Sequence, residues 1–460
     1  MKSLAMKGPF AAFVLAILAA VIVPVEAALP YNFGNPSPDE ELMRQLINRA
    51  RIDPEAEADR FGLDNTHPDD IPDGTYDVGE GITNSGVSDQ RTYWSRYQGF
   101  RQPLAWNAAL NTAAINHSDD MYQFSFFSHQ TQASNHGYQP GYYGSDRAYS
   151  EGYPNHFVFE NIAVNTGLGY FSVEDVHRAL FVDSSITQRG HRKNILHSFL
   201  REVGIGYLSY TTPNDDGWRD FWTIDFSSDA FIAAGHSGED SNPDTVYLTG
   251  VVFDDFNDDG AYQKGEEMPG IDVYAFEVGA GQLPYYAITA EGGGYSIPLV
   301  DKDYNNIPAG QTIRVIFYDP EEKTYVSYNR TVQAGEVVFE DTEAETPTTF
   351  YQRFNIGLNA YGDDFIPAVD GDANFDDIVN LSDLGILAGN YGTLQGATRV
   401  DADFNNDGAV GISDLAILAA NYNTGGEVPE PATIILLLTG IASIFSLHRN
   451  NKKNNFHRIR

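Results

Sequence analysis

Apolar residues follow two different patterns along the chain. In the first half they recur three or four positions apart, which predicts helices over residues 38–53, 106–127 and 173–181. In the second half, short runs rich in valine, tyrosine, isoleucine and phenylalanine alternate with glycine, proline and asparagine turns. Those runs are residues 247–253, 271–276, 285–289, 295–299, 313–318 and 354–358. Such runs are typical of an antiparallel β-sandwich.

A third pattern is an internal repeat with a constant offset of 31 residues. Its first copy has oxygen-bearing side chains at positions one, three, five and twelve, followed by an apolar helical stripe. The two sets are Asp372, Asn374, Asp376, Asp383 and Asp403, Asn405, Asp407, Asp414. This spacing predicts two calcium loops in a small all-α module. Asp377 stands at position six, where glycine is usual, and predicts strain in the first loop.

A further calcium loop is predicted at the front of the β-sandwich. Asp255, Asn257 and Asp259 stand at positions one, three and five, Gly260 at six and Glu266 at twelve. The alternative is a solvated acidic turn. Calcium is therefore the cofactor expected for both downstream regions.

The two ends of the chain carry processing signals. Residues 1–28 begin with lysines, continue as an apolar run and offer a small-residue cleavage site at Ala27, which predicts a secretory signal peptide rather than a retained anchor. Near the other end, Pro429, Glu430 and Pro431 precede an apolar segment at 433–447 and a basic terminus. This arrangement predicts a sorting tail whose basic end lies on the cytoplasmic side, with the domains outside the membrane. The alternative, an ordinary C-terminal anchor, would have the same topology.

Charge and cysteine content narrow the function. Twenty-eight basic residues against 64 acidic ones give a formal charge of −36, which excludes a general nucleic-acid binder. The chain has no cysteine, so its stability must come from buried cores and bound ions rather than disulfides. We therefore predict signal peptide 1–28, first domain 29–235, linker 236–244, β-sandwich 245–360, calcium-loop module 365–425 and tail 428–460.

The candidate chemistry of the first domain lies on three separated segments. His129, Glu160 and His191 each stand next to apolar residues, and side chains of these types that converge make either a metal site or an acid–base site. Gly190 is predicted to supply a backbone conformation that a side chain would hinder. His117 falls on the apolar stripe of the second helix and is interpreted as a core histidine.

These segments resemble the CAP superfamily in its bacterial form. The resemblance rests on Phe-Phe-Ser-His ending at His129, Phe-Glu-Asn-Ile-Ala around Glu160 and Arg-Gly-His-Arg around His191, with supporting pieces at 46–51, 103–107, 202–206 and 221–226. It implies an α-β-α sandwich and a cavity lined by both histidines and Glu160. Asp183 stands near the place of a second family glutamate. The two histidines would suit zinc or another divalent ion.

The other regions also resemble known modules. The sandwich with its loop is similar to B-type repeats of bacterial surface adhesins, the repeat resembles a type I dockerin, and the tail resembles a PEP-CTERM sorting signal. These resemblances imply a cohesin-like protein partner, an exosortase-type processing enzyme and membrane attachment through the C-terminal segment before processing. They place the protein in the envelope or extracellular polysaccharide matrix of a Gram-negative-type bacterium.

Three functions fit this sequence. The favoured one is binding, in which the CAP cavity takes up a divalent ion and a lipid, glycan or peptide ligand. The second is a metal-dependent hydrolase, of the peptidase type, with His129 and His191 as ligands and Glu160 as base. No His-Glu-x-x-His or Gly-x-Ser-x-Gly motif supports it, so the sequence favours a non-enzyme. The third is assembly driven by the dockerin-like module.

Overall fold

The computed structural model describes residues 28–63, 101–154, 157–165, 171–184, 186, 189–197, 200–228, 245–279, 281–301, 303, 305–332, 334–339, 348–353 and 356–425. The predictions for the signal peptide, the 236–244 linker and the sorting tail lie outside these residues. The described residues fall into two compact units, Ala28–Phe365 and a second unit that begins at Ile366. Across the described part of the chain, no helix combines the length and apolar character needed to cross a bilayer.

The first half of the larger unit alternates helices with a four-stranded sheet. In chain order its elements are β1 (Leu29–Pro30), α1 (Pro38–Ile52), α2 (Pro54–Arg60), β2 (Ala105–Trp106), α3 (Ala108–Gln123), α4 (Gly144–Ser150), β3 (Val158–Asn165), α5 (Val173–Val182), α6 (Gly190–Ile195), β4 (Glu202–Ser209) and β5 (Asp220–Ser227). The sheet order is β2-β4-β5-β3, with β2 parallel to β4 and the other pairs antiparallel.

Helix α1 begins and ends as its sequence dictates. Ser37 and Glu40 form a reciprocal capping box at its start, and acidic residues occupy its first turn. Its apolar stripe, including Leu46 and Ile47, is buried. The helix stops before Pro54, which opens α2.

Helices cover both faces of this sheet. Gly204 and Gly206 on β4 face α3, where an added Cβ would lie 2.0 and 2.2 Å from helix backbone atoms. Only glycine therefore lets α3 lie this close to the strand. On the opposite face, Val203 and Ile205 join the core that contains side chains of α1 and α5. This three-layer arrangement agrees with the expected α-β-α sandwich.

The predicted helix over 106–127 is wrong at its start. Trp106 belongs to β2, where its partner on β4 is Val203. Asn107 then caps α3 by accepting hydrogen bonds from the backbone of Ala109 and Leu110. A two-residue strand has no periodicity of its own, so the apolar stripe of α3 was extended across it.

The second half of the larger unit is made of strands. They are β6 (Tyr247–Phe253), β7 (Asp272–Glu277), β8 (Gly281–Ile288), β9 (Gly294–Pro298), β10 (Thr312–Asp319), β11 (Thr324–Thr331), β12 (Ala334–Phe339), β13 (Thr348–Arg353), β14 (Ile356–Gly357) and β15 (Ala360–Tyr361), followed by a 3-10 turn at Gly362–Asp364. Five of the six predicted runs overlap β6 to β10. Of the predicted 354–358 run, the described residues form only the short β14.

These strands form mixed sheets rather than purely antiparallel ones. One sheet contains β6 with antiparallel β9 and parallel β14 and β15. Another has the order β1-β8-β7-β10-β11, in which β1 is parallel to β8. Strands β12 and β13 pair with each other. Strand β1 precedes the helical half in sequence but pairs with β8 of the strand-rich half. The N-terminal end of the helical half is therefore attached to the strand-rich half as well.

Buried polar contacts tie α1 to the strand-rich half. The Arg44 guanidinium donates to the Gly250 carbonyl at 2.8 Å and to the Thr249 hydroxyl at 2.9 Å, while it pairs with Glu41. The Glu202 carboxylate accepts from Tyr247 at 3.1 Å. Residues of both halves also share one hydrophobic core.

The second unit contains the repeat. Its elements are a short strand β16 (Ile366–Pro367), α7 (Leu381–Asn390), a 3-10 turn (Arg399–Asp401) and α8 (Ile412–Asn421). Equivalent apolar positions of the two copies meet in a separate core that includes Leu387 and Leu418. Each helix begins two residues before the twelfth position of its acidic loop, so Asp383 and Asp414 lie in the first helical turns.

Candidate functional site: two histidine–carboxylate pairs

The structure pairs His129 with Glu160. His129 follows α3, and its Nδ1 lies 2.8 Å from Glu160 Oε1 on β3. The other Glu160 oxygen, Oε2, accepts from the fully buried Arg147 of α4. Arg147 also donates to the carbonyls of His129 and Tyr142, at 3.1 and 3.0 Å. One arginine thus holds both the carboxylate and the backbone of its histidine partner.

Two carboxyls face each other beside Arg147. Glu160 and Asp225 are cross-strand neighbours on β3 and β5. Burial opposes ionisation of Glu160, but the charge of Arg147 and the hydrogen bond with His129 lower its pKa. Burial and the neighbouring Glu160 charge raise the pKa of Asp225 well above its usual range. The pKa values of these two facing carboxyls are therefore shifted in opposite directions.

The second pair joins His191 to Asp183. Asp183 follows α5 in a left-handed conformation with φ of 51°, and its carboxylate accepts from the His191 backbone and lies 2.9 Å from His191 Nδ1. The special backbone position before His191 is Arg189, with φ of 52°, and not Gly190, so that prediction is wrong. The Arg189 side chain compensates by donating to the Asp183 and Ile186 carbonyls.

Asparagines connect the two pairs. Asn161 Nδ2 donates to the His191 carbonyl at 3.1 Å, and Asn194 Nδ2 donates to the Glu160 carbonyl at 3.2 Å and to Asn161 Oδ1 at 2.8 Å. These bonds fix the start of β3 against α6. The four sequence-predicted residues therefore lie in one region, as two pairs on neighbouring elements.

The pairing leaves the Nε2 edge of each imidazole turned away from its carboxylate. The side chain of His129 is 48% exposed and that of His191 is 20% exposed. A carboxylate on Nδ1 fixes the tautomer and makes Nε2 a better electron donor, which is the usual support for a metal-ligating histidine. Each imidazole is therefore oriented by a carboxylate in the way that metal-ligating histidines commonly are.

His117 is a buried core residue, as its position on the apolar stripe predicts. Its Nε2 lies 2.9 Å from the Ser128 carbonyl. Burial lowers the pKa of His117 to about 4, so it is neutral at physiological pH. It packs against Phe126 and supports the chain reversal that presents His129.

The two predicted calcium loops of the second unit have the same geometry. Asp372 Oδ2 accepts from the backbone of Asp377 at 2.8 Å, and Asp403 Oδ2 accepts from the backbone of Gly408 at 2.7 Å. Asp377 has φ of 63° where Gly408 has 80°, so the first loop forces an aspartate into the conformation that glycine prefers. The expected strain at Asp377 is present as a backbone conformation.

Like charges crowd in the first of these loops. Burial, together with the charges of Asp383 and Asp376, raises the pKa of Asp372 to about 6. In the sandwich loop, Asp255 accepts from the backbone of Asp259 and Gly260, and Gly260 has φ of 71°. Calcium ligands of this type are stabilised when a cation neutralises them.

Sequence reasoning missed two features. Arg147 gave no signal, because it stands in a run of tyrosine, glycine and serine without apolar periodicity. The other is a group formed by Asp119, Asp120 and His136. Within the described ranges, it is the group of three histidine, cysteine, aspartate or glutamate side chains whose ligand atoms all lie within 4.8 Å of one another. Neither the predicted zinc histidines nor the predicted calcium ligands belong to it.

Comparison with known proteins identifies one domain. Residues 87–226 match the family described as CAP, the cysteine-rich secretory protein family. No curated protein and no solved structure matches the chain. The matched segment contains both histidine–carboxylate pairs, Arg147 and the four-stranded sheet except for the last residue of β5, Ser227. The resemblance to the CAP superfamily is thereby confirmed, and the chain contains a CAP domain.

Proposed function

We propose that the CAP domain is a binding module that takes up a divalent transition-metal ion at Nε2 of His129 and His191. The observation that carries this proposal is the matched pair of imidazoles, each oriented by a carboxylate on Nδ1. Two independently anchored histidines whose side chains are partly exposed suit zinc ligation. Water or a ligand group would complete the coordination.

The ligand beside the ion is a lipid, glycan or peptide. Aromatic side chains with large exposed surfaces flank the Glu160 region: Phe157, which is 70% exposed, directly precedes β3, and Tyr143, which is 52% exposed, precedes α4. Phe159 packs against His197, with ring centroids 4.9 Å apart. Exposed aromatic rings favour stacking on sugars or apolar chains.

Catalysis by a metal-dependent hydrolase is the weaker alternative. A general base works best with a pKa near the working pH. Burial opposes ionisation of Glu160, but Arg147 lowers its pKa. The lowered pKa moves Glu160 away from the base role that the hydrolase requires.

The remaining regions display the CAP domain outside the cell. In this proposal the signal peptide directs secretion, the adhesin-like sandwich and the dockerin-like loops bind calcium, and a cohesin-like protein is captured by the dockerin-like module. The tail is processed by an exosortase-type enzyme in the envelope of a Gram-negative-type bacterium. The shared geometry of the two loops supports the calcium assignment. In each copy, the backbone N–H of the residue at position six donates to the aspartate at position one.

Calorimetry with the full chain tests the central proposal. With calcium in excess to fill the oxygen-ligand loops, zinc titration should show a site that is lost in a His129→Ala/His191→Ala variant. A Phe157→Ser variant should keep the zinc site and bind candidate lipid or glycan ligands more weakly. Zinc uptake that is identical in wild type and the double-histidine variant would refute the proposal.

A further inference from the structure

A second group of side chains of the types that bind metals consists of two aspartates before His129 in sequence and one histidine after it. Asp119 and Asp120 stand near the end of α3, and His136 stands in the loop that connects α3 to α4. We propose that these three side chains form a second divalent transition-metal site, which fixes this loop onto α3. The loop is defined here as residues 129–143.

The geometry of the group suits a small ion. Nε2 of His136 lies 2.9 Å from Asp119 Oδ2 and 3.9 Å from Asp120 Oδ1. Tetrahedral ligands about 2.1 Å from zinc are about 3.4 Å from one another. The two observed distances lie on either side of that separation. Small side-chain movements would therefore place all three ligand atoms around one ion.

Asp120 supplies an independent argument for a cation at this group. Its side chain is fully buried, and Oδ1 accepts from the Asn135 backbone at 2.9 Å. Its other oxygen, Oδ2, accepts no hydrogen bond from any part of the chain that the structure describes. A buried carboxylate oxygen without a partner is costly. A cation bound by this carboxylate would offset that cost.

The type of donor decides the class of ion. One imidazole nitrogen with two carboxylates suits zinc or manganese, whereas calcium takes oxygen ligands alone. The Asp119 ligand is also oriented from behind, because its Oδ1 accepts from the Tyr210 hydroxyl at 2.6 Å and from Gln123 at 3.1 Å. Such outer partners commonly support metal-binding carboxylates.

The position of the group gives it a role. Arg147 holds both ends of the loop, through the carbonyls of His129 and Tyr142. A metal at His136 would hold the middle of the same loop. Because the chain has no cysteine, no disulfide performs this task. The ion would thus stabilise the segment that presents His129 without taking part in the first metal site.

Zinc stoichiometry of the full chain, measured in excess calcium, tests the proposal. We compare wild type with an Asp119→Asn/His136→Ala variant and with His129→Ala/His191→Ala. The first variant should lose one equivalent of zinc, or bind it more than about tenfold more weakly, since loss of outer partners alone has that effect. The second variant should keep this equivalent. An unchanged stoichiometry in Asp119→Asn/His136→Ala overturns the proposal.

Hydrogen exchange of the loop separates a metal effect from a folding defect. Both variants should retain the wild-type circular dichroism spectrum in the absence of zinc, because Asp119 and His136 are partly exposed. Added zinc should slow exchange in residues 130–142 in wild type and in His129→Ala/His191→Ala, but not in Asp119→Asn/His136→Ala. Equal slowing in all three proteins, or loss of all zinc binding in His129→Ala/His191→Ala, would also overturn it.

Discussion

The CAP domain and the acidic-loop repeat hold their carboxylates in opposite ways. In the CAP domain, the charge of Glu160 is balanced inside the protein by the buried Arg147. In the first repeat loop, burial together with the neighbouring carboxylates of Asp383 and Asp376 raises the pKa of Asp372 to about 6. The first site is therefore organised by the fold, whereas we expect a cation to be needed to organise the second.

Removal of calcium should produce the largest difference between the two regions. Two loops at free calcium 100 times each dissociation constant contribute about 5 kcal/mol in total to folding of the second unit. With a chelator, residues 366–425 should lose helical structure and exchange protection, while the CAP sheet stays protected. Hydrogen exchange with mass spectrometry measures both regions in one sample. Equal protection of the second unit with and without calcium would remove the contrast.

Removal of the internal counter-charge should affect the CAP region next most strongly. Arg147→Met leaves the buried Glu160 without its cation, and breaking a buried ion pair in this way costs about 3–5 kcal/mol. Denaturant unfolding monitored by tryptophan fluorescence measures the loss. Arg330→Met is the matched control, because Arg330 is exposed on β11 and such a change should stay within about 0.5 kcal/mol. A similar loss in both variants would contradict the role of Arg147.

Acid should weaken the CAP region through a second internal ion pair. Glu57 is held by His177 and by Arg49, and although burial opposes its ionisation, these partners lower its pKa to about 2. Its stabilising contribution is therefore complete above the ordinary carboxyl pKa and lost as the pH falls from about 4.5 towards 2. Glu57→Gln should flatten the dependence of unfolding free energy on pH in that range. An unchanged slope would show that this pair is not responsible.

The smallest effect should separate the two copies of the repeat. Asp377 and Gly408 hold equivalent left-handed positions, so Asp377→Gly should stabilise the first loop by about 1 kcal/mol and Gly408→Asp should weaken the second by a similar amount. Calcium titrations of the two variants should shift in opposite directions. Shifts in the same direction would mean that the backbone at this position does not control affinity.

The sequence anticipated what periodicity and short motifs encode. The bounds of β6 match the predicted run at 247–253, and α1 follows from its stripe of Leu42, Leu46 and Ala50. Strand β11 was not predicted, because its outward positions, such as Ser327 and Asn329, are polar and interrupt the apolar run. The parallel strand pairs of the second half were not predicted either, because the direction of a strand depends on the path of the chain and not on the local sequence pattern.

The candidate site was predictable in its residues and not in its pairings. The CAP motifs pointed to His129, Glu160 and His191, and chain position pointed to Asp183. That Arg147 would reach Glu160 from a separate helix depends on how α4 packs beside β3, which no spacing reveals. The same holds for His136, which meets Asp119 only because the loop folds back onto α3.

Anomalous diffraction at the zinc absorption edge is the most direct test of the proposed metal-binding function. Crystals of the full chain, grown with calcium and soaked in zinc, should show anomalous density beside Nε2 of His129 and His191. Density there, absent from crystals of His129→Ala/His191→Ala, would establish the CAP cavity as a metal site. Well-ordered imidazoles without anomalous density beside either one would contradict the account, whatever is seen at Asp119 and His136.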